Sequence, residues 1–152
     1  MFKFRSMVAN AEEILKRDKN LYEKYKKNSY KIFDDPRITN IGRIIRRFSI
    51  DEMPQFFNVL KGEMSIVGPR AYLPDELVEQ QKVYPETKKY VKSLLSVKPG
   101  ITGFWQVSGR SEINFDKRIQ MDAEYAERRS IVYDILIVLK TPAAMVIGRG
   151  AV

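Results

Sequence analysis

Two adjacent carboxylates, Asp51 and Glu52, stand in the stretch SIDEMPQFFNVLKGEMSIVGPR (49–70), followed closely by Pro54 and an apolar run. A paired acid of this kind can attack an electrophile or hold a hard cation through oxygen. The rest of the composition narrows the chemistry. The chain contains neither histidine nor cysteine, which excludes Ser–His and Cys–His mechanisms, disulfides, thiolate sites and the usual zinc chemistry. Carboxylates, hydroxyls, amines and backbone dipoles remain, with magnesium as the natural cation and manganese as its alternative. Lys and Arg number 27 against 19 Asp and Glu, a net charge of +8. That balance suits anionic partners: nucleic acid, acidic lipid or phosphorylated substrates. The plainer reading of the pair is helix capping. Ser49 and Glu52 have capping-box spacing, and the helix entrance would stabilise the anions.

Several elements must position this pair. Phe56, Phe57, Val59 and Leu60 give a helical face that stops at Gly62, and a start at Asp51 leaves Pro54 in the first turn, where its missing N–H costs little. MSIVG (64–68) then reads as a short strand running into Pro69 and Arg70. Upstream, residues 9–27 read as one helix, with Ala11, Ile14, Leu15, Leu21, Tyr22 and Tyr25 as its stripe and Lys16, Lys19, Lys24, Lys26 and Lys27 flanking it. DDPR (34–37) makes a turn into a second helix over 38–49, apolar at Ile41, Ile44, Ile45 and Phe48 and basic at Arg43, Arg46 and Arg47. Residues 73–97 read as two helices broken at Pro85.

KPGITGFWQVSGR (98–110) is rich in turn and strand residues, with Gly100 and Gly103 allowing backbone to approach a ligand closely. The single tryptophan, Trp105, reads first as core. In the helix NFDKRIQMDAEYAERR (114–129), Asp122 falls near the buried side, which predicts a buried ion pair with an arginine. The tail IVYDILIVLKTPAAMVIGRG is the most apolar stretch, broken by Asp134, Lys140 and Pro142. No window reaches the roughly 18 apolar residues of a spanning helix. The expected architecture is a mixed α/β (α+β) domain over 1–152, mostly helical with a small sheet.

FKFRSM at Phe2, DPRITNIGRIIRRFS, the Asp51–Glu52 stretch, KPGITGFWQVSGR and the closing GRGAV occur together and in order. In this the chain resembles the bacterial sugar transferases, the membrane-bound phosphoglycosyl transferases that load a sugar phosphate onto polyprenyl (undecaprenyl) phosphate. The resemblance implies transfer from a UDP-sugar with release of UMP, the first membrane step of exopolysaccharide, capsule or O-antigen synthesis. It implies Asp51 as nucleophile with Glu52 assisting, both as magnesium ligands. It further implies Lys3, Arg5, Arg70 and Arg110 as binders of substrate phosphates or nucleotide, with Asp122, Pro54 and Pro69 in support. The implied partners are the two substrates and an anionic membrane surface, at the cytoplasmic face of the bacterial inner membrane, peripheral or monotopic. The pattern departs from the family in two places. Relatives carry a hydrophobic membrane-inserted segment upstream of the FKFRSM-like motif, so the resemblance implies either the catalytic part of a larger transferase or a shortened gene product. They also usually have proline after GPR, where this chain has Ala71.

Two alternatives have other signatures. A catalytically silent, membrane-peripheral fragment would keep the basic faces and lose turnover. A basic nucleic-acid-binding module would fit the charge, but it leaves the acidic pair and the GPR and PGITG motifs without a role, so no nucleic acid is expected.

Overall fold

The computed structural model describes residues 1–27 and 32–147. The Lys27 side chain and the closing GRGAV therefore fall outside the described residues. In chain order the helices are α1 (Ala11–Arg17), α2 (Lys19–Lys27), α3 (Asn40–Arg47), α4 (Gln55–Leu60), α5 (Pro74–Val83), α6 (Lys88–Leu94), α7 (Phe104–Ser108), α8 (Phe115–Arg128) and α9 (Ile131–Ile147). Tight 3-10 turns occupy Ile50–Glu52, Pro85–Thr87 and Arg110–Glu112. Two strands, β1 (Ser65–Val67) and β2 (Gly100–Thr102), pair in parallel with Ser65 opposite Gly100 and Val67 opposite Thr102. The mostly helical architecture with a small sheet matches the expectation from the sequence.

The strand seam is an approach of backbone on backbone. Gly68 N–H donates to Thr102 O and Gly100 N–H to Pro69 O, both at 2.9 Å. A Cβ on Gly100 would collide with the Gly68 nitrogen, and one on Gly68 would sit 2.5 Å from Lys98 O. The space at Gly100, and at Gly103 where a Cβ would sit 2.3 Å from Gly68 O, is thus filled by opposing backbone, where the sequence suggested a ligand. Tyr125 of α8 adds its hydroxyl to Val67 O at 3.1 Å, and Val67, Tyr125 and Ile137 pack as one apolar cluster beneath the seam. A second cluster, Leu77, Leu94, Phe115 and Ile119, joins α5, α6 and α8.

Several elements depart from the sequence reading. The first helix divides at Asp18, whose extended backbone ends α1 and whose Oδ1 accepts the Leu21 N–H at 3.0 Å, capping α2. FWQV lies within helix α7 and forms no strand, started by extended Gly103 and stopped by Gly109 at φ 156°. The tail runs through Asp134, Lys140 and Pro142 as one helix. The carbonyl of Ile137 takes an additional bond from Thr141 Oγ1 at 2.8 Å just before the proline. Among the described residues no helix is long and apolar enough to cross a membrane.

Helix α4 is turned inside out. It buries Gln55 and Asn58, each 2% exposed, and presents Phe56, Phe57 (63%) and Leu60 (83%) outward. Asn58 explains the choice: its Oδ1 accepts the Phe2 N–H at 2.9 Å and its Nδ2 donates to Glu63 Oε2 at 2.6 Å. Ile41 and Ile44 of α3 and Ile131, Val132 and Leu139 of α9 are likewise exposed.

Because the atoms in the way are backbone, Gly100→Ala should destabilise the chain by about 3 kcal/mol, the upper end of overpacking costs. Urea denaturation measures this. A loss within about 0.5 kcal/mol, the scale of ordinary surface substitutions, would show that the seam yields freely.

Candidate active site

The acidic pair sits in a 3-10 turn one step before α4. Ser49 enters this turn with φ 54° in the left-handed region, and its side chain caps no helix. The expected capping box is therefore absent: Ser49 Oγ accepts a hydrogen bond from Arg110 Nη2. Arg110 itself has φ 53°, so both ends of this contact lie in backbone that L residues seldom adopt. Pro54 precedes Gln55, the first residue of α4, where its missing N–H breaks no helical bond.

The N-terminal segment laces across the turn. Phe4 N–H donates to Asp51 O at 2.9 Å, Met7 bridges Ile38, and Thr39 N–H donates to Ser6 O at 3.1 Å. This register sets the Lys3 ammonium 2.7 Å from Glu52 Oε1. Arg46 of α3 donates to Ser6 Oγ at 2.8 Å. Asp51 is buried and its carboxyl is raised above the ordinary aspartate range. Loss of water is the main cause; Lys3 and Arg46 pull the value down while Glu52 pushes it up. The helix entrance expected to quieten this carboxylate is replaced by a dry turn that makes it more basic.

Lys3, Asp51, Glu52 and Arg110 are thus brought together, with Ser49 as the link. Arg5 is exposed and makes no hydrogen bond or ion pair among the described residues. Arg70 and Asp122 belong to a second group. Asp122 is fully buried, and its Oδ2 accepts the Arg70 backbone N–H at 3.2 Å and the Tyr72 hydroxyl at 2.8 Å. Arg70 Nη1 and Arg118 Nη2 each approach Glu76 Oε1 at 3.4 Å. Arg118 is also boxed by the rings of Tyr72, Trp105 and Phe115 at 5.5–5.6 Å. The ion pair expected at Asp122 is replaced by hydrogen bonds to Tyr72 and to backbone, with the arginine side chains held on Glu76. Pro69 is buried beside this group, its carbonyl spent on Gly100. The Asp122 bond holds the backbone of Arg70, the residue before Ala71.

Tyr72, Glu76 and Arg118 were missed in the sequence. Arg118 and Asp122 stand four apart on α8, the spacing of facing side chains, which is the signal that could have found them.

A cavity of about 260 Å³ opens beside the acidic pair, with Ser49, Glu52 and Arg110 at its polar end and largely apolar walls from α4, β1, β2, α7 and α9. Among the described residues no group of three or more acidic side chains could hold a metal. The Asp51–Glu52 pair nonetheless suits magnesium, which commonly takes one or two carboxylates and completes its shell with water and substrate phosphate.

A family model described as bacterial sugar transferase matches residues 1–148. The galactosyl transferase CpsE of Streptococcus agalactiae is 46% identical over 151 residues, 99% of this chain and 32% of that protein. The undecaprenyl-phosphate galactose phosphotransferase of Salmonella typhimurium is 44% identical over 154 residues, 99% of this chain and 31% of that protein. The exopolysaccharide production protein ExoY of Sinorhizobium fredii is 38% identical over 153 residues, 98% of this chain and 64% of that protein. The chain spans about a third of the length of the first two relatives.

Burial pushes the Asp122 carboxyl from 3.8 up to about 6, against the pull of Tyr72, the Arg70 N–H and the two arginines. A carboxyl raised by folding binds its proton more tightly in the native state, so its contribution to stability grows as pH falls from about 7 to about 4. Over that range the parent should gain stability relative to Asp122→Asn, read as the difference in denaturation midpoints. The opposite trend, that of an ion-paired carboxylate, would overturn the assignment.

Proposed function

The chain belongs to the bacterial sugar transferase family, and from that premise we propose that it transfers a sugar 1-phosphate from a UDP-sugar to polyprenyl phosphate, releasing UMP. This would start assembly of a surface polysaccharide. The observation that carries the proposal is the Asp51–Glu52 pair: a buried carboxylate of raised basicity beside one already neutralised by a lysine. The names of the relatives supply the substrates, since one is an undecaprenyl-phosphate galactose phosphotransferase and another a UDP-galactose-lipid carrier transferase.

Transfer proceeds in two displacements. An Asp51 oxygen attacks the sugar-bearing phosphorus of the UDP-sugar; that bond forms as the bond to the bridging oxygen breaks, and UMP leaves with the electron pair. A phosphate oxygen of the prenyl phosphate then attacks the same phosphorus, expelling the Asp51 carboxylate and forming the lipid diphosphate sugar. Phosphoryl transfer asks the protein chiefly for positioning and charge neutralisation. Burial supports the first demand by keeping Asp51 unhydrated and basic. Lys3 and the arginines Arg70 and Arg110 support the second, Arg70 with a partly exposed guanidinium. Arg5, exposed near the turn, is a candidate for the nucleotide's outer groups. Magnesium, or manganese in its place, would be held by Asp51 and Glu52 and would neutralise charge on the diphosphate.

The outward apolar residues of α4 and α9, flanked by basic side chains, support association with the cytoplasmic face of the bacterial inner membrane.

Mixed with a UDP-sugar alone, the chain should release about one UMP per site and keep the sugar phosphate as a covalent adduct. Asp51→Asn should abolish that burst, because an amide cannot form an acyl phosphate. Glu52→Gln should slow turnover and retain the burst. Mass spectrometry locates the adduct, and one found on Glu52, or persisting in Asp51→Asn, reverses the roles. A panel of UDP-sugars in the same assay identifies the sugar.

Chelation should stop turnover and added magnesium should restore it. Full activity in chelator removes the metal from the proposal.

A further inference from the structure

Among the described residues three that are not glycine hold left-handed backbone, Asp34, Ser49 and Arg110, and two of the three are the ends of one hydrogen bond. Such backbone costs energy in a residue with a Cβ and persists where surrounding contacts impose it. Ser49 stands one residue past Phe48, the C-cap of α3, where glycine or asparagine is the usual choice for this conformation. A serine there keeps a hydroxyl, and that hydroxyl caps no helix. Arg110 opens the turn Arg110–Glu112 directly after Gly109. Its guanidinium carries a further cost: Nη2 donates to Ser49 Oγ, while Nη1 is buried and meets no acceptor among the described residues. Strained backbone at both ends and a buried donor left unpaired thus converge on one contact between two loops.

What the contact holds is the acidic turn. Ser49 N–H donates to Arg46 O at 3.0 Å and Ser49 O accepts the Glu52 N–H at 3.2 Å, so this residue joins α3 to the turn that carries Asp51. From the N-terminal segment, Phe4 N–H donates to Asp51 O at 2.9 Å. Arg110 follows α7, which itself follows β2, so its bond ties the same turn to the strand seam. A hydrogen bond with an ionised donor is among the stronger and more directional kinds. We propose that Ser49 is a positioning residue for the reaction at Asp51: its hydroxyl, held by Arg110, fixes the acidic turn in the orientation from which the carboxylate attacks. The proposal rests on the transfer reading above and narrows the part of Arg110 in it. The guanidinium adds its charge to the site and spends its Nη2 donor on the turn. In-line attack on phosphorus is sensitive to such support, since a misplacement of about 1 Å can cost about a hundredfold in rate.

Variants of the full chain separate the hydroxyl from the backbone. Ser49→Gly suits the left-handed conformation and removes the acceptor, whereas Ser49→Asn suits it and restores an acceptor oxygen. Arg110→Met removes the donor, and the double variant Ser49→Gly/Arg110→Met measures the coupling. In single-turnover mixing with a UDP-sugar, Ser49→Gly should release UMP about tenfold more slowly at saturation, with the half-saturating concentration changed by less than about twofold. Ser49→Asn should recover most of the rate, and Ser49→Gly should cost nothing further in the Arg110→Met background. Amide hydrogen exchange reads the turn without substrate. The Glu52 and Phe4 N–H groups should exchange about tenfold faster in Ser49→Gly and in Arg110→Met, while the Gly68 N–H, bonded to Thr102 O at the seam, should not change. UMP release by Ser49→Gly at the parent rate, a loss confined to the half-saturating concentration, or an undiminished effect of Ser49→Gly in the Arg110→Met background overturns the assignment. The two readings fail separately. Exchange as expected without UMP release from any UDP-sugar sinks the transfer reading and leaves the held turn standing. Unchanged exchange in both single variants, with UMP release by the parent, sinks the assignment of Ser49 alone.

Discussion

The contact of backbone on backbone between Gly68 and Gly100 governs where the chemistry can sit. Only residues without a Cβ let the two parallel strands and their flanking loops close to hydrogen-bonding distance at this point. Both arginines proposed to bind phosphate leave from the carboxyl ends of these strands: Arg70 three residues after β1, and Arg110 beyond the short α7 that follows β2. Parallel strands commonly direct their carboxyl ends towards ligands. Here two strands of three residues suffice, because α8 and α9 pack beneath them through Tyr125 and Ile137.

Around that seam the molecule accepts an unusual load of buried charge. Asp51, Glu76, Arg118 and Asp122 are all largely removed from water, and two of the three acids have raised carboxyl pKa values. Each group is satisfied differently. Arg118 is held by aromatic faces and Glu76, Asp122 by a phenol and a backbone N–H, and Asp51 by its own backbone N–H and the charges of Lys3 and Arg46. A packed apolar core would cost less. The Asp51 carboxyl is raised by burial and no ion pair among the described residues reaches it, a condition common among groups that react.

Much of this was legible in the sequence, and the failures have physical causes. The break at Pro85 was legible because proline cannot continue a helix, and the glycines marked a close approach whose partner proved to be backbone. FWQV resembles a strand because aromatic and β-branched residues favour strands, yet flanking glycines confine it to one helical turn and a half. The capping box failed because Arg110, 61 residues away, takes the Ser49 hydroxyl; no local pattern reports so remote a competitor. Helix α4 misled for a different reason. Periodicity shows which residues share a face, but not which face is buried, and Asn58 decides that through Phe2 and Glu63.

That inversion bears on how a lipid phosphate and a sugar nucleotide could meet at one carboxylate. A chain that turns Gln55 and Asn58 inward and Phe57 and Leu60 outward gives up apolar burial that folding alone would favour. The same is true of α9, whose apolar residues are mostly exposed although Ile137 is fully packed. The two helices border the same cavity, and the acidic turn lies at its rim. On the proposed function, an apolar substrate lying along this face would stand beside the acidic turn. On that same function, the exposed apolar faces and the buried carboxylate would answer one requirement: a charged reaction carried out at the edge of a hydrocarbon phase.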